Sequence, residues 1–266
     1  MEGVEDIPGV ALHEGLPWSW ESFPDYMDYL SGRKFDMDIG AQIPHAALRV
    51  YVMGQRGADR EPATADDIAL MQKLTTEAMK AGALGFTSSR TLNHRSSKGA
   101  PTPSLKAEVN ELMGLANAMK HAGRGVFEMI SDFDDFEDEV SILRGMVEHS
   151  GRPMSISLAQ GLSPNGWKKI LARIAKATDD GHTMRGQVAP RAIGILMGLS
   201  TTLSPFTTRP SYMEVTKLPL NEKLAALKDP GRRERILAEE TGPGFARLFN
   251  LMNGGQKVWL MTDPPH

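Results

Sequence analysis

One unit recurs along this chain and limits what it can fold into. It is an amphipathic stretch of helical period, then a stop glycine, a short apolar segment and a few polar residues. In "REPATADDIALMQKLTTEAMKAGALGFTSSR", Thr64 stands three residues before Asp67, a capping box with the shorter acid in the glutamate position. Ile68, Met71, Ala78 and Met79 recur at helical spacing, and Gly82 is a natural helix terminator. "ALGFTSS" then reads as a buried strand ending in hydroxyls. "PSLKAEVNELMGLANAMKHAG" repeats the pattern, with Leu105, Val109, Leu112, Met113, Ala116 and Met119 on one face, a stop at Gly123 and the strand "VFEMISD". "FEDEVSILRGMVEHSG" and "PNGWKKILARIAKATDDG" repeat it again, stopping at Gly151 and Gly181. "FPDYMDYLSG", before a strand ending at Pro44, is an earlier copy.

Strands alternating with helices at this spacing mean βαβ units and a parallel sheet. An open doubly wound sheet and a (β/α)₈ barrel both fit. The chain has neither G-x-G-x-x-G after a strand nor G-x-x-x-x-G-K-[ST], so the α/β TIM-barrel type is the better reading. Strands are expected near 37–43, 83–88, 125–131, 153–159, 184–189 and 257–262, about six of the eight that closure needs. Residues 1–266 are thus expected to form a partial barrel domain. Its rhythm breaks at about 200–256, an excursion that reads equally well as a lid or a linker.

Charge and composition narrow the partners. A net charge of -3 argues against nucleic acid, and no apolar run approaches the ~20 residues of a membrane span. The acidic start "MEGVEDIPGV" lacks the form of a signal peptide, so a cytoplasmic location is expected. With no cysteine, thiolate nucleophiles and cysteine metal sites are excluded, and the seven histidines form no H-x-H or H-x-x-x-H pair.

In a barrel the chemistry sits at the C-terminal ends of the strands. That rule singles out His45, with Arg49 beyond it, then Thr87, Ser88, Ser89 and Arg90, and His94 in the loop "TLNHRSSKGAPTP". Further on come Ser131, Asp132, Ser157, Gln160, Gln187, Arg191, Asp263 and His266. His45 and Asp132 are the candidate proton-transfer groups. Ser88, Ser89, Arg90, His94 and Arg191 are the candidates for holding an anionic or amide-bearing substrate. The same polar rim would also serve simply to meet solvent. His121 and His149 precede stop glycines, where the helix dipole favours them. His13 and His182 read as surface residues, "DFDDFEDE" as mostly a helix start, and the methionines as core.

"QIPHAALRVYVMG" followed by "REPATADDIALMQKLTTEAMKAGALGFTSSR" resembles the N-acyl-D-amino-acid deacylases, or D-aminoacylases, of the amidohydrolase superfamily. The likeness covers most of residues 36–130, and "QVAPRAIGILMGL" and "LPLNEKLAALKDP" look like a subgroup of that family. The resemblance implies a metal-dependent (β/α)₈ hydrolase, usually using zinc, that cleaves the amide of an N-acyl amino acid with a metal-activated hydroxide. It also implies an internal piece of such a barrel, because the family's H-x-H pair, the bridging residue after it and the final-strand aspartate have no counterpart here. Two further family histidines fall where this chain has Ile130, Ser131 or Asp132 in "FEMISDF", and Leu158 in "SISLAQ". Leucine cannot bind zinc. No metal ligand is therefore assigned within this chain. His45, on the third barrel strand by this reading, becomes a supporting or substrate-facing histidine.

Three readings stand: an amide hydrolase, a degenerate barrel that binds a small acid or supports an oligomer, and a metal-free enzyme using His45 and Asp132. The expected partner is a small N-acylated amino acid or related amide. Unpaired sheet edges predict self-association.

Overall fold

The strongest helix-start signals are used as the pattern predicts. In this computed structural model Thr64 and Ser22 each accept a hydrogen bond from the amide three residues on. The carboxylates of Asp67 and Asp25 bond back to the cap amides, so both capping boxes are complete. The stop glycines behave likewise: Gly123 and Gly151 adopt the left-handed conformation at φ 65°, which closes a helix without a Cβ penalty. The structure describes residues 7–96, 98–105, 107–159, 165–191, 194, 197–201, 204–207 and 209–239. These divide into two units.

The first unit takes its described residues from 1–158 and 168–188. In chain order its elements begin with α1 (Gly9–Gly15), α2 (Phe23–Ser31), β1 (Ile43–Pro44), α3 (His45–Met53) and α4 (Gln55–Ala58). They continue with α5 (Ala65–Lys80), β2 (Gly85–Arg90), α6 (Val109–Ala122), β3 (Val126–Ser131) and α7 (Phe136–Ser150). β4 (Met154–Ser157), α8 (Gly166–Asp179) and β5 (Met184–Gln187) complete the series. The sheet order is β1-β2-β3-β4-β5 and every neighbouring pair is parallel. An open doubly wound sheet reverses its strand order at a switch point; this one runs in sequence order throughout, as a barrel wall does. The fold is therefore the (β/α)₈ type, incomplete among the described residues.

The core lies between sheet and helices. Phe86, Phe127, Met129, Met154 and Ile156 point from the strands at Met71, Met79, Leu112, Leu115, Met119, Leu143 and Met146, all buried. The alternate positions form the other face, where the register lines up Thr87, Glu128, Ser155 and Arg185 across four strands. That face is polar at these four positions.

Several boundaries differ from the sequence expectation. Residues 37–42 are not strand. Met37 and Ile39 are exposed, so the alternation there buries nothing, and only Ile43 and Pro44 pair with β2. Pro44 is the last residue of β1, as the sequence suggests, at a strand end and edge where its missing N–H costs no ladder bond. His45 follows β1 directly, as expected, and opens helix α3. Val109 is exposed at the start of α6, and Leu105, though buried, precedes that helix. β2 ends at Arg90, two residues later than the pattern suggests.

The second unit takes its described residues from 159–167 and 189–266, and holds α9 (Pro210–Met213), α10 (Leu220–Lys228) and α11 (Pro230–Ala238). Tyr212, Val215 and Ile236 form its small core, and Glu239 ties it together by accepting from the Ser211 hydroxyl and amide. The excursion predicted at about 200–256 thus has a core of its own as far as residue 239. The strand expected at 257–262 lies outside the described residues.

Gly85 starts β2 so close to β3 that an added Cβ would sit 1.9 Å from the Val126 carbonyl oxygen. Gly85→Ala is expected to cost about 3 kcal/mol, an overpacking penalty against backbone, read as a lowered midpoint in thermal or urea unfolding.

Candidate functional site

Strand β2 carries four of the candidate residues in a row, and its pleat sends them to opposite faces. Ser88 and Arg90 turn toward the helices and are buried; Thr87 and Ser89 turn to the polar face and are half-buried.

Behind the sheet, Ser88 joins a buried polar cluster. His45 Nδ1 lies 2.8 Å from Ser88 Oγ, and His45 Nε2 lies 2.7 Å from Glu111 Oε1. A carboxylate only accepts, so Nε2 carries the proton; in the neutral ring Nδ1 then accepts from the Ser88 hydroxyl. Arg49 Nε stands 3.2 Å from the same carboxylate oxygen, while its other nitrogens donate to the carbonyls of Pro103 and Glu61. His45, Arg49 and Glu111 are each 1% exposed. Burial pushes the His45 imidazole below its ordinary range. Glu111 pulls it back up, and Arg49 and Arg90 add to the lowering. The arrangement is a sealed network tying α3, β2, α6 and the loop at Pro103 together. His45 therefore sits in the helix layer, away from the rim where the sequence reading expected it.

Arg90 is also committed. Its Nε donates to both Glu139 oxygens at 3.0 and 2.9 Å, its Nη2 donates to Oε1 and its Nη1 to the Ala107 carbonyl. The fork that could have gripped a substrate carboxylate grips Glu139 in the first turn of α7. This is how the structure uses the acidic run. Asp135 caps α7, Glu137, Asp138 and Glu139 occupy its first turn, and Glu139 also accepts from Ser131 Oγ at 2.8 Å.

The polar face has a different constellation at the ends of β2 and β3. Ser89 Oγ lies 2.8 Å from His94 Nδ1, and both residues are half-buried. The turn that brings His94 back over the strand is pinned by Asp132. Asp132 accepts from Thr91 Oγ1 at 2.5 Å and from the Leu92 amide at 2.7 Å. The Asn93 amide donates in turn to Thr91 Oγ1, and Ser104 Oγ donates to the Ser89 carbonyl at 2.8 Å. Of the predicted site residues, the structure thus unites Ser89, His94 and Asp132 around one turn. It separates them from His45 and Ser88 by the thickness of the strand. Arg191 belongs to the second unit. Gln160, Asp263 and His266 lie outside the described residues. Glu111 went unnoticed in the sequence because it sits in a helix, where a carboxylate reads as surface charge, and Glu139 was read only as part of a helix start.

The remaining histidines stand where their neighbours in sequence suggest. His121 and His149 occupy the last turns of α6 and α7, His13 is exposed, and His182 lies 3.4 Å from Glu148.

The donor set decides whether the metal implied by the resemblance fits. Among the described residues there is no group of three or more His, Asp or Glu side chains able to hold an ion. At the two strand ends where the resemblance implies histidines, Ser131 is occupied with Glu139 and Asp132 with the turn. Leu158 covers Gly186 beside Ile174 of α8. A hydroxyl in a bond network and a leucine do not make a zinc site, so the described residues do not fit the ion. Nor is any helix of the described residues long and apolar enough to cross a membrane.

Comparison with known proteins agrees with this architecture. The amidohydrolase family model matches residues 1–244. A D-aminoacylase from Alcaligenes xylosoxydans xylosoxydans is 34% identical over 76 residues, which is 29% of this chain and 15% of that protein. Two solved D-aminoacylase structures share the fold with a TM-score of 0.53. One, concerned with the functional role of a binuclear metal center, is 23% identical, with 64% of this chain and 34% of that one covered. The other, said to define a novel subset of amidohydrolases, is 24% identical over 65% and 35% of the two chains. The chain thus spans about a third of the length of these solved relatives.

The buried network yields a pH prediction. In the folded protein burial holds His45 below its ordinary range, whereas the unfolded chain takes up the proton near ~6.5. The stability this contributes is complete above that pH and is lost as the pH falls through the lower folded value. The unfolding midpoint is expected to drop between pH 7 and 5, by less in His45→Gln. Glu111→Ala, which strands buried positive charge, is expected to cost about 3–5 kcal/mol at pH 7, measured by denaturant unfolding.

Proposed function

The chain belongs to the amidohydrolase family, and from that membership we propose that it hydrolyses the amide bond of N-acylated amino acids, with a preference for the D-enantiomers. The observation that carries the reading is the family match across residues 1–244. The D-aminoacylase likeness over 76 residues supports the substrate class.

What the strand ends offer is consistent with that chemistry. An N-acyl amino acid presents an amide carbonyl, an amide N–H and a carboxylate. The rim at β2 and β3 presents hydroxyls at Thr87 and Ser89 and an imidazole at His94, all on the polar face of the sheet. Arg90 and Arg49 are bound to Glu139 and Glu111, so neither is the group that holds the substrate carboxylate.

A second reading, a barrel that binds a small acid without cleaving it, is favoured by one observation: Ser131, Asp132 and Leu158 stand where the resemblance implies metal-binding histidines. The two are separated by assaying the purified protein against N-acetyl-D- and N-acetyl-L-amino acids, with added divalent metal and with chelator. Release of free D-amino acid is the expected result. Calorimetric binding of the same compounds with no turnover under any condition would overturn hydrolysis in favour of the binding reading.

A further inference from the structure

The helix layer is unevenly packed. α5, α6 and α7 lie close against one another, whereas α8 stands off α7. α8 buries Ile174 and Ala177 but leaves Leu171 44% exposed. Charged pairs bridge the gap. Arg173 Nη2 of α8 donates to both oxygens of Glu137 at 2.6 and 2.8 Å, and Arg144 Nη1 of α7 donates to Asp180 at 2.8 Å.

A cavity of about 80 Å³ lies in that gap. Its apolar lining includes Val140 and Leu143 of α7, Ile170 and Ile174 of α8, and Ile156 and Met184 from the strands. Arg144, Arg173 and Lys176 also line it, and among the described residues no carboxylate does. Walls of Val, Leu, Ile and Met offer water nothing to bond, so an apolar group is the better occupant, gaining dispersion contacts with every wall.

The cationic edge shows which head group it takes. Arg173 already grips a carboxylate, that of Glu137, and this pair stands in solvent, its side chains 42% and 70% exposed. An exposed pair contributes little and is readily exchanged. The other two cations are held more closely. Arg144 pairs with Glu148 and Asp180, and Lys176 with Asp180, acids less exposed than Glu137.

We propose that the gap between α7 and α8 is a binding site for a short aliphatic carboxylate, its tail in the cavity and its head group on Arg173 in place of Glu137. A cavity of about 150 Å³ takes up benzene, so this one has room for about three or four tail carbons, as in butanoate or pentanoate. The site lies on the helix side of the sheet, among core residues, and does not depend on the reaction proposed above.

The test is methyl NMR on the intact protein, titrated with the sodium salts of acetic to octanoic acid and with 1-pentanol. Pentanoate is expected to give saturable shifts at the methyls of Ile156, Ile170, Ile174 and Met184. Affinity is expected to rise about fourfold per methylene up to pentanoate, then level off. 1-Pentanol, which lacks the charge, is expected to bind about tenfold more weakly, and Arg173→Gln to remove that difference. Val140→Phe, which fills the cavity, is expected to abolish binding. Unfolding midpoints of both variants separate a lost site from a lost fold, and the wild-type titration needs no variant. No saturable shift at these methyls, an affinity indifferent to chain length, or a folded Val140→Phe that binds as tightly as the wild type would each overturn the site. Pentanol binding as tightly as pentanoate would overturn the carboxylate assignment.

Discussion

A β-strand turns each successive side chain to the opposite face, and in β2 that period sorts neighbours into separate worlds. Phe86, Ser88 and Arg90 face the helices; Thr87 and Ser89 face the polar side. Packing, charge and chemistry all follow from this division. Phe86 enters the core against Phe127 and the His45 ring. Ser88 supplies a hydroxyl to the His45–Glu111 network, and Arg90 reaches across to α7. The residues left on the other face are the ones free to meet a ligand. A one-residue slip of β2 would exchange the two sets, placing Ser88 and Arg90 at the rim and burying Ser89.

The charged groups behind the sheet illustrate how a parallel α/β wall uses polar side chains as fasteners. Glu111 and Glu139 each receive an arginine, and those arginines also bond to the carbonyls of Pro103, Glu61 and Ala107. Loops following α4 and β2 are thereby fixed to the helix layer. A buried ion pair contributes little net stability over an apolar substitute, but losing one partner leaves an uncompensated charge. The pairs therefore act as a specification of one arrangement. They hold the long β2–α6 connection, the segment that carries His94, in register with the strand end.

Much of the fold was legible in the sequence because its signals are local. The helices over Ala65–Lys80 and Phe136–Ser150, their caps and their stop glycines were all readable from residues a few positions apart. The bounds of β2 to β5 were readable to within about two residues, those of β1 were not, and the small error in β2 mattered for the site. Ending β2 at Ser88 made Thr87 to Arg90 look like one continuous rim, whereas pairing through Arg90 with Ser131 makes them alternate. The stretch after Pro44 carried no expected element. "HAALRVYVMG" is rich in β-branched and aromatic residues, yet it is a helix, because His45, Leu48, Arg49 and Met53 bury one side of it at helical spacing.

What the sequence by itself determined is the alternation of helix and strand, the parallel order this requires and the polar character of the strand ends. Those depend on periodicity, capping and terminators acting within a dozen residues. What only the tertiary structure decided is which polar residues are spent and which are available. His45 meets Ser88 and Glu111 across 43 and 66 residues of chain, Arg90 meets Glu139 across 49, and Asp132 meets Thr91 across 41. No local pattern encodes such pairings. They arise because strand pleat and helix packing bring distant side chains into low-dielectric contact, where a charge or a hydrogen-bonding group left unpaired would be too costly to bury.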